Sequence, residues 1–245
     1  FEEKRVEPEE LLVALRADFQ GQEALRQMLL KQVPKYGNDC AEVDELARRV
    51  DADFIALMDT MRSPLNGRYF VHLFSFLCHL AFGKTVGATP DGRRAGEPLA
   101  YSLSAQQGRD EKGVTALLRS LSRLPHNRAA GASAAIVEVD PAMVAGEEGV
   151  ERLVQLIRGA IATGVGQLQW NVTTVERLQL AQRDPERYGN IPVRVAGYSQ
   201  MFKLIDKELQ QEKHGNPIWR RTRLVFREAV WPVHPLGAVR HSGVA

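Results

Sequence analysis

The fold class follows from the stretch Ala134-Ala135-Ile136-Val137-Glu138-Val139. Small or apolar residues at 135, 137 and 139 recur at every second position, which is the period of a strand. Downstream, apolar residues from 150 to 161 are spaced as on a helix, and residues 168–172 return to a period of two. Strands that alternate with helices in this way predict an α/β architecture with mostly parallel strands.

The same alternation continues toward residue 212. Thr173 and Glu176 have the spacing of a capping box, which predicts the start of another helix. Val193 and Val195 predict a further short strand that ends at Gly197, and a helix is expected over about 200–212. Ligands in such folds gather beyond the carboxyl ends of the strands. The turn at Gly197 is therefore where chemistry is expected.

The first sixty residues are predicted to be helical. Pro8 suits a first helical turn, and Asp39 is placed to cap a longer helix. One stripe of that longer helix is apolar, and we expect it to pack in the core. The residues of this stripe are Val43, Leu46, Ala47, Val50, Phe54, Leu57, Met58 and Met61.

The middle of the chain changes character. Residues 68–82 form an aromatic, apolar run of strand-like composition, although a run buried on all sides also fits a helix. A loop rich in Gly, Pro, Arg and Asp spans about 83–113, and a short amphipathic helix is predicted from Thr115 to Leu124. Loops of this length are uncommon in compact domains and are often functional.

Composition excludes several classes of protein. The 245 residues include 32 Lys plus Arg and 30 Asp plus Glu, and a net charge of +2 does not indicate a nucleic-acid or membrane partner. No apolar run approaches the length of a membrane-spanning helix. Two widely spaced cysteines, Cys40 and Cys78, exclude a disulfide scaffold and a Cys-only zinc site. They fit a reducing, cytoplasmic compartment.

The histidines and one arginine cluster give only weak signals for a metal site or a nucleic-acid interface. His72 and His79 have no third ligand at a motif distance, so no metal site is predicted. Arginines at 220, 221, 223 and 227 lie near Trp219. A solvated tail explains this cluster better than a nucleic-acid interface.

Two segments carry most of the remaining information. They are Ala88-Thr89-Pro90-Asp91-Gly92-Arg93-Arg94-Ala95-Gly96-Glu97-Pro98-Leu99 and Val193-Arg194-Val195-Ala196-Gly197-Tyr198-Ser199. Four further stretches recur with them, at 35–44, 108–116, 169–172 and 184–188. In this order, the set resembles the C-terminal part of the glycyl radical enzymes over about residues 8–212. That family includes pyruvate formate-lyase, several dehydratases, arylacetate decarboxylases, and C–N and C–S lyases.

The resemblance implies a fold and a site. The family fold is a ten-stranded α/β barrel made of two five-stranded halves, and this chain would supply part of the second half. By match, Gly197 is the residue converted to a stable Cα radical, because glycine has no Cβ to crowd a planar centre. Arg194, Val195 and Tyr198 would support the radical loop. Asp91 and Arg93 would brace the long loop by hydrogen bonding.

The domain organisation follows from the resemblance. The chain divides into an all-helical segment (1–67), a barrel strand with the long loop (68–124), a glycine radical domain (125–212) and a divergent tail (213–245). No family role is transferred beyond Glu212, because residues 213–217 interrupt the family's pattern.

The resemblance also implies partners. No tightly bound cofactor is expected, because the radical is installed on the glycine by a separate S-adenosylmethionine/iron–sulfur activase. The radical then passes to a cysteine, whose thiyl takes hydrogen from a small-molecule substrate. Members of the family are often homodimers, so a homodimer is also an expectation.

The chain departs from the family at the thiyl cysteine. That cysteine follows a glycine in the family, whereas Cys40 follows Asp39 and Cys78 follows Leu77. Three interpretations stay open: a C-terminal fragment, a split enzyme whose second chain supplies the other barrel half, or a homologue that has lost catalysis. The expected function is radical C–C, C–O or C–N cleavage of the formate acetyltransferase, dehydratase or decarboxylase type. The alternative is a non-catalytic assembly or regulatory module with the same fold.

Overall fold

The structure is a computed structural model that describes residues 5–76, 78–194, 198–205, 207 and 210. The predicted tail at 213–245, the arginine cluster near Trp219, and Val195 and Gly197 lie outside the described residues. Within the described part, no helix is long and apolar enough to cross a membrane.

Three helices occupy the N-terminal quarter: α1 (Pro8–Arg16), α2 (Glu23–Lys31) and α3 (Ala41–Thr60). Pro8 stands in the first turn of α1, where its missing N–H costs nothing. α1, α2 and their connection bury one apolar cluster, formed by Val6, Leu11, Ala14, Phe19 and Leu29.

The predicted cap of α3 is wrong. Cys40 occupies the N-cap position, and no side chain caps the helix there. Asp39 adopts a φ of 52°, and its carboxylate instead accepts a hydrogen bond from Arg119 at 3.0 Å. Its backbone N–H donates to Ser120 Oγ at 3.0 Å. Asp39 therefore ties the start of α3 to a distant helix rather than capping its own.

The apolar stripe of α3 is not core in this chain, contrary to the prediction. Leu46, Val50, Phe54, Leu57 and Met61 are all exposed. The helix buries Ile55 and, unexpectedly, the carboxyl of Asp44, which lies 3.7 Å from Arg123 Nε. The predicted helix is confirmed, but most of the stripe has no described residues packed over it.

Only part of the aromatic run at 68–82 is strand. Strand β1 is short (His72–Leu73), and the run ends in helix α4 (Cys78–Thr85). Tyr69, Phe70 and Phe76 are exposed. The chain from 86 to 113 then forms no helix or strand before α5 (Val114–Ser122).

The central sheet is parallel, with the order β1-β2-β3, where β2 is Ala132–Val139 and β3 is Gln167–Val172. Helix α6 (Gly146–Ala162) makes the crossover between β2 and β3. This confirms the predicted strand–helix–strand unit. One face of β2 packs against α5 and α6 in a cluster that includes Val137, Leu118 and Leu156.

The last predicted strand is not a further parallel strand. β4 (Pro192–Arg194) pairs antiparallel with β5 (Ser199–Met201), so the two strands form a hairpin. The helix predicted over about 200–212 begins later, because 199–201 is strand and 202–204 form a 3₁₀ turn, whereas Lys207 and Gln210 are helical. Residues 206, 208–209 and 211–212 of that expected helix lie outside the described residues.

Two helices lead from β3 to the hairpin: α7 (Val175–Arg183) and α8 (Pro185–Tyr188). The predicted capping box is displaced by one residue, because Thr174, not Thr173, accepts the hydrogen bond from Arg177 N. This shift leaves Thr173 as the last inward-facing residue after β3, with 1% of its surface exposed.

Candidate functional site

The β4–β5 hairpin carries the predicted radical position. Its pairing joins Pro192 to Met201, Val193 to Gln200 and Arg194 to Ser199. The four residues 195–198 therefore connect the two strands, and Tyr198 is the described one. Gly197 and Val195, predicted as the catalytic and supporting residues, belong to this connection but lie outside the described residues.

Arg194 and Tyr198 stand on either side of that connection. The guanidinium of Arg194 donates to Ser199 Oγ across the hairpin at 3.2 Å. Its backbone N–H donates to Asn171 Oδ1 at 2.7 Å, which links the hairpin to β3. Tyr198 keeps 45% of its surface exposed. The structure thus brings Arg194 next to the sheet and leaves the Tyr198 ring at the surface of this chain.

The β4–β5 hairpin packs on a buried apolar cluster, which we call the base of the hairpin. Val193 and Phe202 are buried with Leu178 of α7 and with Ile191 in one cluster. The backbone supports the same base, because Phe202 N donates to Ile191 O at 2.8 Å and Lys203 N donates to Gly189 O at 3.1 Å. This packing holds both ends of the 195–198 connection at fixed positions.

Strand β3 turns a polar face toward the hairpin. Leu168, Trp170 and Val172 alternate with Gln169, Asn171 and Thr173 along the strand. Leu168 and Trp170 pack against the apolar cluster, so the alternation sends the polar residues to the opposite face. Those three polar residues are 1–3% exposed.

A half-buried acidic group, Glu138, lies beside this face. Glu138 on β2 is the register partner of Asn171, and Tyr101 donates its hydroxyl hydrogen to Glu138 Oε1 at 3.3 Å. Burial, with a further contribution from Glu138, raises the pKa of Asp110 to about 7. Asp110 and Asn171 lie within two of the stretches that resemble the family, 108–116 and 169–172, but no role is predicted for either, and Glu138 lies outside those stretches. The period-two spacing of polar residues inside an apolar strand was the available signal for Asn171.

The raised pKa of Asp110 gives a pH-dependent stability. The folded pKa lies above the unfolded one, so the stabilising contribution is full below about pH 4 and is lost as the pH rises through 7. Between pH 5.5 and 8 we expect a loss of about 2 kcal/mol in the free energy of unfolding. The Asp110→Asn variant should remove this part of the slope in urea titrations at the two pH values. An unchanged slope would contradict the buried, raised pKa.

The second predicted segment surrounds a buried guanidinium. Arg93 is 1% exposed and donates to four backbone carbonyl oxygens at 2.5–3.2 Å. Those oxygens belong to Val86, Gly87, Arg94 and Glu97. The planar fork of arginine suits such multiple recognition. The side chain therefore joins both ends of a loop that spans about a dozen residues.

Asp91 organises the turn within that loop. Its Oδ1 accepts hydrogen bonds from Thr89 Oγ1 at 2.5 Å and from Arg93 N at 3.4 Å. Gly92 has a φ of 90°, and a Cβ at this position would lie 2.7 Å from Leu30. The turn thus requires glycine for conformation and for its close approach to α2.

The same loop is tied to the N-terminal helices. Arg94 donates to Glu23 at 2.8 Å and to the backbone oxygen of Asp18 at 2.8 Å. Arg26 donates to Gly92 O at 3.0 Å. These contacts connect segments about seventy residues apart in sequence.

The 35–44 stretch, another of those that resemble the family, connects neighbouring loops by hydrogen bonds. Asn38 Oδ1 accepts from the backbone N–H groups of Glu111 (2.7 Å) and Lys112 (3.0 Å), while its amide donates to Arg109 O at 2.6 Å. Lys35 donates to two carbonyl oxygens, of Leu29 and Val33. The 35–44 stretch therefore holds the 108–113 loop, and these contacts account for both without direct chemistry.

The remaining sequence candidates, two cysteines and two histidines, lie on β1, on α4 and at the start of α3. His79 is buried, with Nδ1 3.3 Å from Phe76 O, and His72 is exposed. Cys40 is half-buried at the start of α3, and Cys78 is exposed at the start of α4. Among the described residues, no cluster of three His, Cys, Asp or Glu could hold a metal ion.

Comparison with protein-family models gives two adjacent matches. A family described as "Glycine radical" matches residues 99–203, and one described as "Pyruvate formate lyase-like" matches residues 1–83. The first match contains β2, β3 and the β4–β5 hairpin. The second contains α1 to α3 and most of α4.

Curated relatives agree with both matches. The isethionate sulfite-lyase of Nitratidesulfovibrio vulgaris is 38% identical over 214 residues, covering 86% of this chain and 26% of the relative. The trans-4-hydroxy-L-proline dehydratase of Clostridioides difficile is 32% identical over 212 residues, covering 86% of this chain and 27% of the relative. The chain thus spans about a quarter of the length of these relatives.

Solved structures agree as well. The glycerol-bound B12-independent glycerol dehydratase from Clostridium butyricum superposes with a TM-score of 0.83 at 35% identity. The match covers 88% of this chain and 27% of that structure. The hydroxyproline dehydratase from Clostridioides difficile gives a TM-score of 0.82 at 31% identity, covering 88% and 27%.

Proposed function

The chain belongs to the glycyl radical enzyme family, and we propose that it stores the family's radical on the Cα of Gly197. The observation that carries the proposal is the β4–β5 hairpin. It holds residues 195–198 between two strands that are packed on a buried base and bonded to β3. It also falls within the "Glycine radical" match.

The chemistry of the proposed site takes place at one atom, the Cα of Gly197. A hydrogen atom leaves Gly197 Cα during activation, and the unpaired electron is shared by the adjacent amide nitrogen and carbonyl. The activase that takes this hydrogen would be a separate radical S-adenosylmethionine enzyme. During turnover, Gly197 Cα would take a hydrogen atom from a cysteine thiol and leave the thiyl that attacks substrate. The protein's task is to position the glycine and exclude solvent and oxygen.

Five further residues are proposed to support the site, on the basis of their positions in the chain and their hydrogen bonds. Arg194 would fix the N-terminal side of the radical loop through its bonds to Asn171 and Ser199. Val195 and Tyr198, which lie close to Gly197 in sequence, would support the radical loop. Asp91 and Arg93 would brace the 86–97 loop, which their hydrogen bonds join at both ends. None of these residues is assigned direct chemistry.

The thiyl cysteine would come from outside this chain's 245 residues. Neither Cys40 nor Cys78 follows a glycine, as the family pattern requires. The chain matches only about a quarter of its relatives, and the exposed apolar stripe of α3 offers a surface for further protein. The proposed partner is the other barrel half, on the same or a second polypeptide.

The proposed reaction is radical cleavage of a bond next to a hydroxyl-bearing carbon in a small polar molecule. The relatives named above are dehydratases and a sulfite-lyase, which break C–O and C–S bonds. In the proposed reaction of this chain's family site, the thiyl abstracts a hydrogen atom from a substrate carbon before that bond breaks.

Anaerobic activation tests the proposal. The chain, mixed with a reduced glycyl radical activase and S-adenosylmethionine, should develop a doublet EPR signal. The doublet arises because one hydrogen remains on the radical carbon. A mixture without S-adenosylmethionine is the control and should stay silent. Absence of any organic radical with an activase that activates a full-length relative in parallel would refute the assignment.

A further inference from the structure

A cleft of about 300 Å³ lies where the end of α2, the start of α3 and the 109–112 loop come together. Four of the side chains that line it are basic, namely Lys31, Lys35, Arg109 and Lys112, and one, Glu111, is acidic. The chain as a whole is nearly neutral, with a net charge of +2. Basic groups are therefore concentrated in this cleft, and a concave site of one sign attracts ligands of the other sign.

The half-buried side chain of Arg109 lacks a partner in this cleft. Its Nε is buried and has no hydrogen-bond acceptor among the described residues. No ion pair joins its guanidinium to a carboxylate in that part of the chain. A charged group that has left water costs free energy unless an acceptor or an opposite charge replaces the water. An anionic ligand would supply that partner.

Lys35 is held beside Arg109. Its ammonium donates to two backbone carbonyl oxygens, each at 2.6 Å, which leaves one of its three N–H donors for another acceptor. Burial and the nearby charge of Arg109 lower the pKa of Lys35, and Asp91 and Glu111 oppose this shift to a smaller extent. Two cations are thus kept close together, and an anion between them would relieve their repulsion.

A buried asparagine fixes the frame of the cleft. The amide of Asn38 donates to Lys35 O at 3.1 Å and to Arg109 O at 2.6 Å, and its oxygen accepts from the backbone N–H groups of Glu111 and Lys112. One side chain, 7% exposed, therefore positions the backbone of four residues that line the cleft. Binding groups that are held in place before a ligand arrives lose little entropy when it binds.

The start of α3 adds further donors. Cys40 lines the cleft and occupies the N-cap position of this 20-residue helix, which no described side chain caps. The first N–H groups of such a helix need acceptors from elsewhere, and the positive end of the helix dipole favours an anion. The helix start and the basic cluster therefore favour the same kind of ligand.

We propose that this cleft binds a small molecule that carries a phosphate group, with the phosphate held by Arg109, Lys35 and the start of α3. A phosphate is favoured over a carboxylate because its dianion matches the excess of basic groups, and because its several oxygens can accept from donors on different elements. A volume of about 300 Å³ is at the lower end for small-molecule pockets, which suits a compact phosphomonoester. This site is separate from the radical proposed for Gly197 and shares no residue with it.

Calorimetric titration of the whole chain tests the site. The probes are inorganic phosphate and glycerol 3-phosphate, and sodium chloride keeps the ionic strength constant. We expect saturable binding of both probes, with glycerol 3-phosphate the tighter. Arg109→Gln should weaken both by about tenfold or more, because charge-assisted hydrogen bonds are lost. Arg158→Gln is the matched control, since it removes an exposed arginine of α6 outside the cleft, and it should bind as the wild type does.

Thermal unfolding separates a binding role of Arg109 from a structural one. Without phosphate, Arg109→Gln should melt at or above the temperature of the wild type, because an unpaired charge beside Lys35 has been removed. Glycerol 3-phosphate should raise the melting temperature of the wild type and of Arg158→Gln, since a ligand that binds the folded state stabilises it. It should raise that of Arg109→Gln much less.

A second variant covers the case in which Arg109→Gln does not fold. Lys112→Gln changes an exposed side chain and keeps the backbone bond to Asn38, and it should weaken binding by about threefold. The proposal is overturned if neither probe saturates, or if the folded variant keeps the wild-type affinity. It is also overturned if glycerol 3-phosphate binds no tighter than inorganic phosphate, because the cleft would then hold an adventitious ion only.

Discussion

Replacing Gly197 by alanine is expected to abolish the EPR doublet of the activated chain completely. Alanine at a radical centre places a methyl group on the carbon that must become planar, and the methyl hits the neighbouring peptide groups. Alanine has a single Cα hydrogen, so a radical formed by its abstraction would keep no hydrogen on that carbon and could not give the doublet. The measurement is the spin content of wild type and Gly197→Ala after identical anaerobic activation.

A second glycine gives the matched control. Gly87 has no heavy atom within 4 Å of the position that a Cβ would take, so Gly87→Ala should fold and keep the doublet. Circular dichroism and the melting temperature of Gly197→Ala should stay close to those of wild type, because the buried base of the hairpin is untouched. A doublet of wild-type intensity in Gly197→Ala would assign the radical to another residue.

Arg93→Met is expected to lower the free energy of unfolding by about 3 kcal/mol or more. Methionine keeps much of the apolar stem but leaves the carbonyl oxygens of Val86, Gly87, Arg94 and Glu97 without their donor. Each orphaned acceptor is part-buried in the loop and costs about 1 kcal/mol. This sum outweighs the desolvation that removal of one guanidinium relieves. Urea unfolding measures the change.

Two further variants serve as comparisons for this loss of stability. Arg93→Lys keeps the charge but loses the planar fork, so it should fall between wild type and Arg93→Met. Arg158→Met replaces an exposed arginine on α6 and should change stability by less than about 0.5 kcal/mol. If Arg93→Met and Arg158→Met were equally stable, the 86–97 loop would not depend on the guanidinium.

The strands of the central sheet could be predicted because their residue patterns extend over several neighbouring positions in the sequence. Small or apolar residues recur at 135, 137 and 139, and apolar residues from 150 to 161 have helical spacing, so β2, α6 and β3 lie where these patterns predict them. β4 and β5 have three residues each. Strands this short show no period that distinguishes a parallel partner from a hairpin, and the antiparallel pairing of Val193 with Gln200 was missed.

Errors in the N-terminal helices have a different origin. Amphipathicity shows that Leu46, Val50 and Phe54 share one face, but the pattern does not say which protein covers that face. Asp39 has the residue type of a cap, yet its carboxylate is taken by Arg119, eighty residues away. A long-range ion pair of this kind leaves no local signal.

The candidate site was predicted unevenly for similar reasons. Gly197 and its flanking residues were found through the resemblance, because the short element around a glycine is distinctive in that family. The network of Arg93 depends on four carbonyl oxygens, and backbone acceptors are invisible in a sequence. Asn171 had a signal in the alternation of Gln169, Asn171 and Thr173, but its partner is the backbone N–H of a residue on another strand.

The most direct test of the radical assignment uses isotope substitution in the intact chain. Protein made with glycine deuterated at Cα is activated anaerobically beside unlabelled protein, and their EPR spectra are compared. We expect the labelled chain to give one unresolved line in place of the doublet of the unlabelled chain, because deuterium couples to the electron much more weakly than hydrogen. A signal that keeps its doublet after deuteration would contradict a radical on glycine.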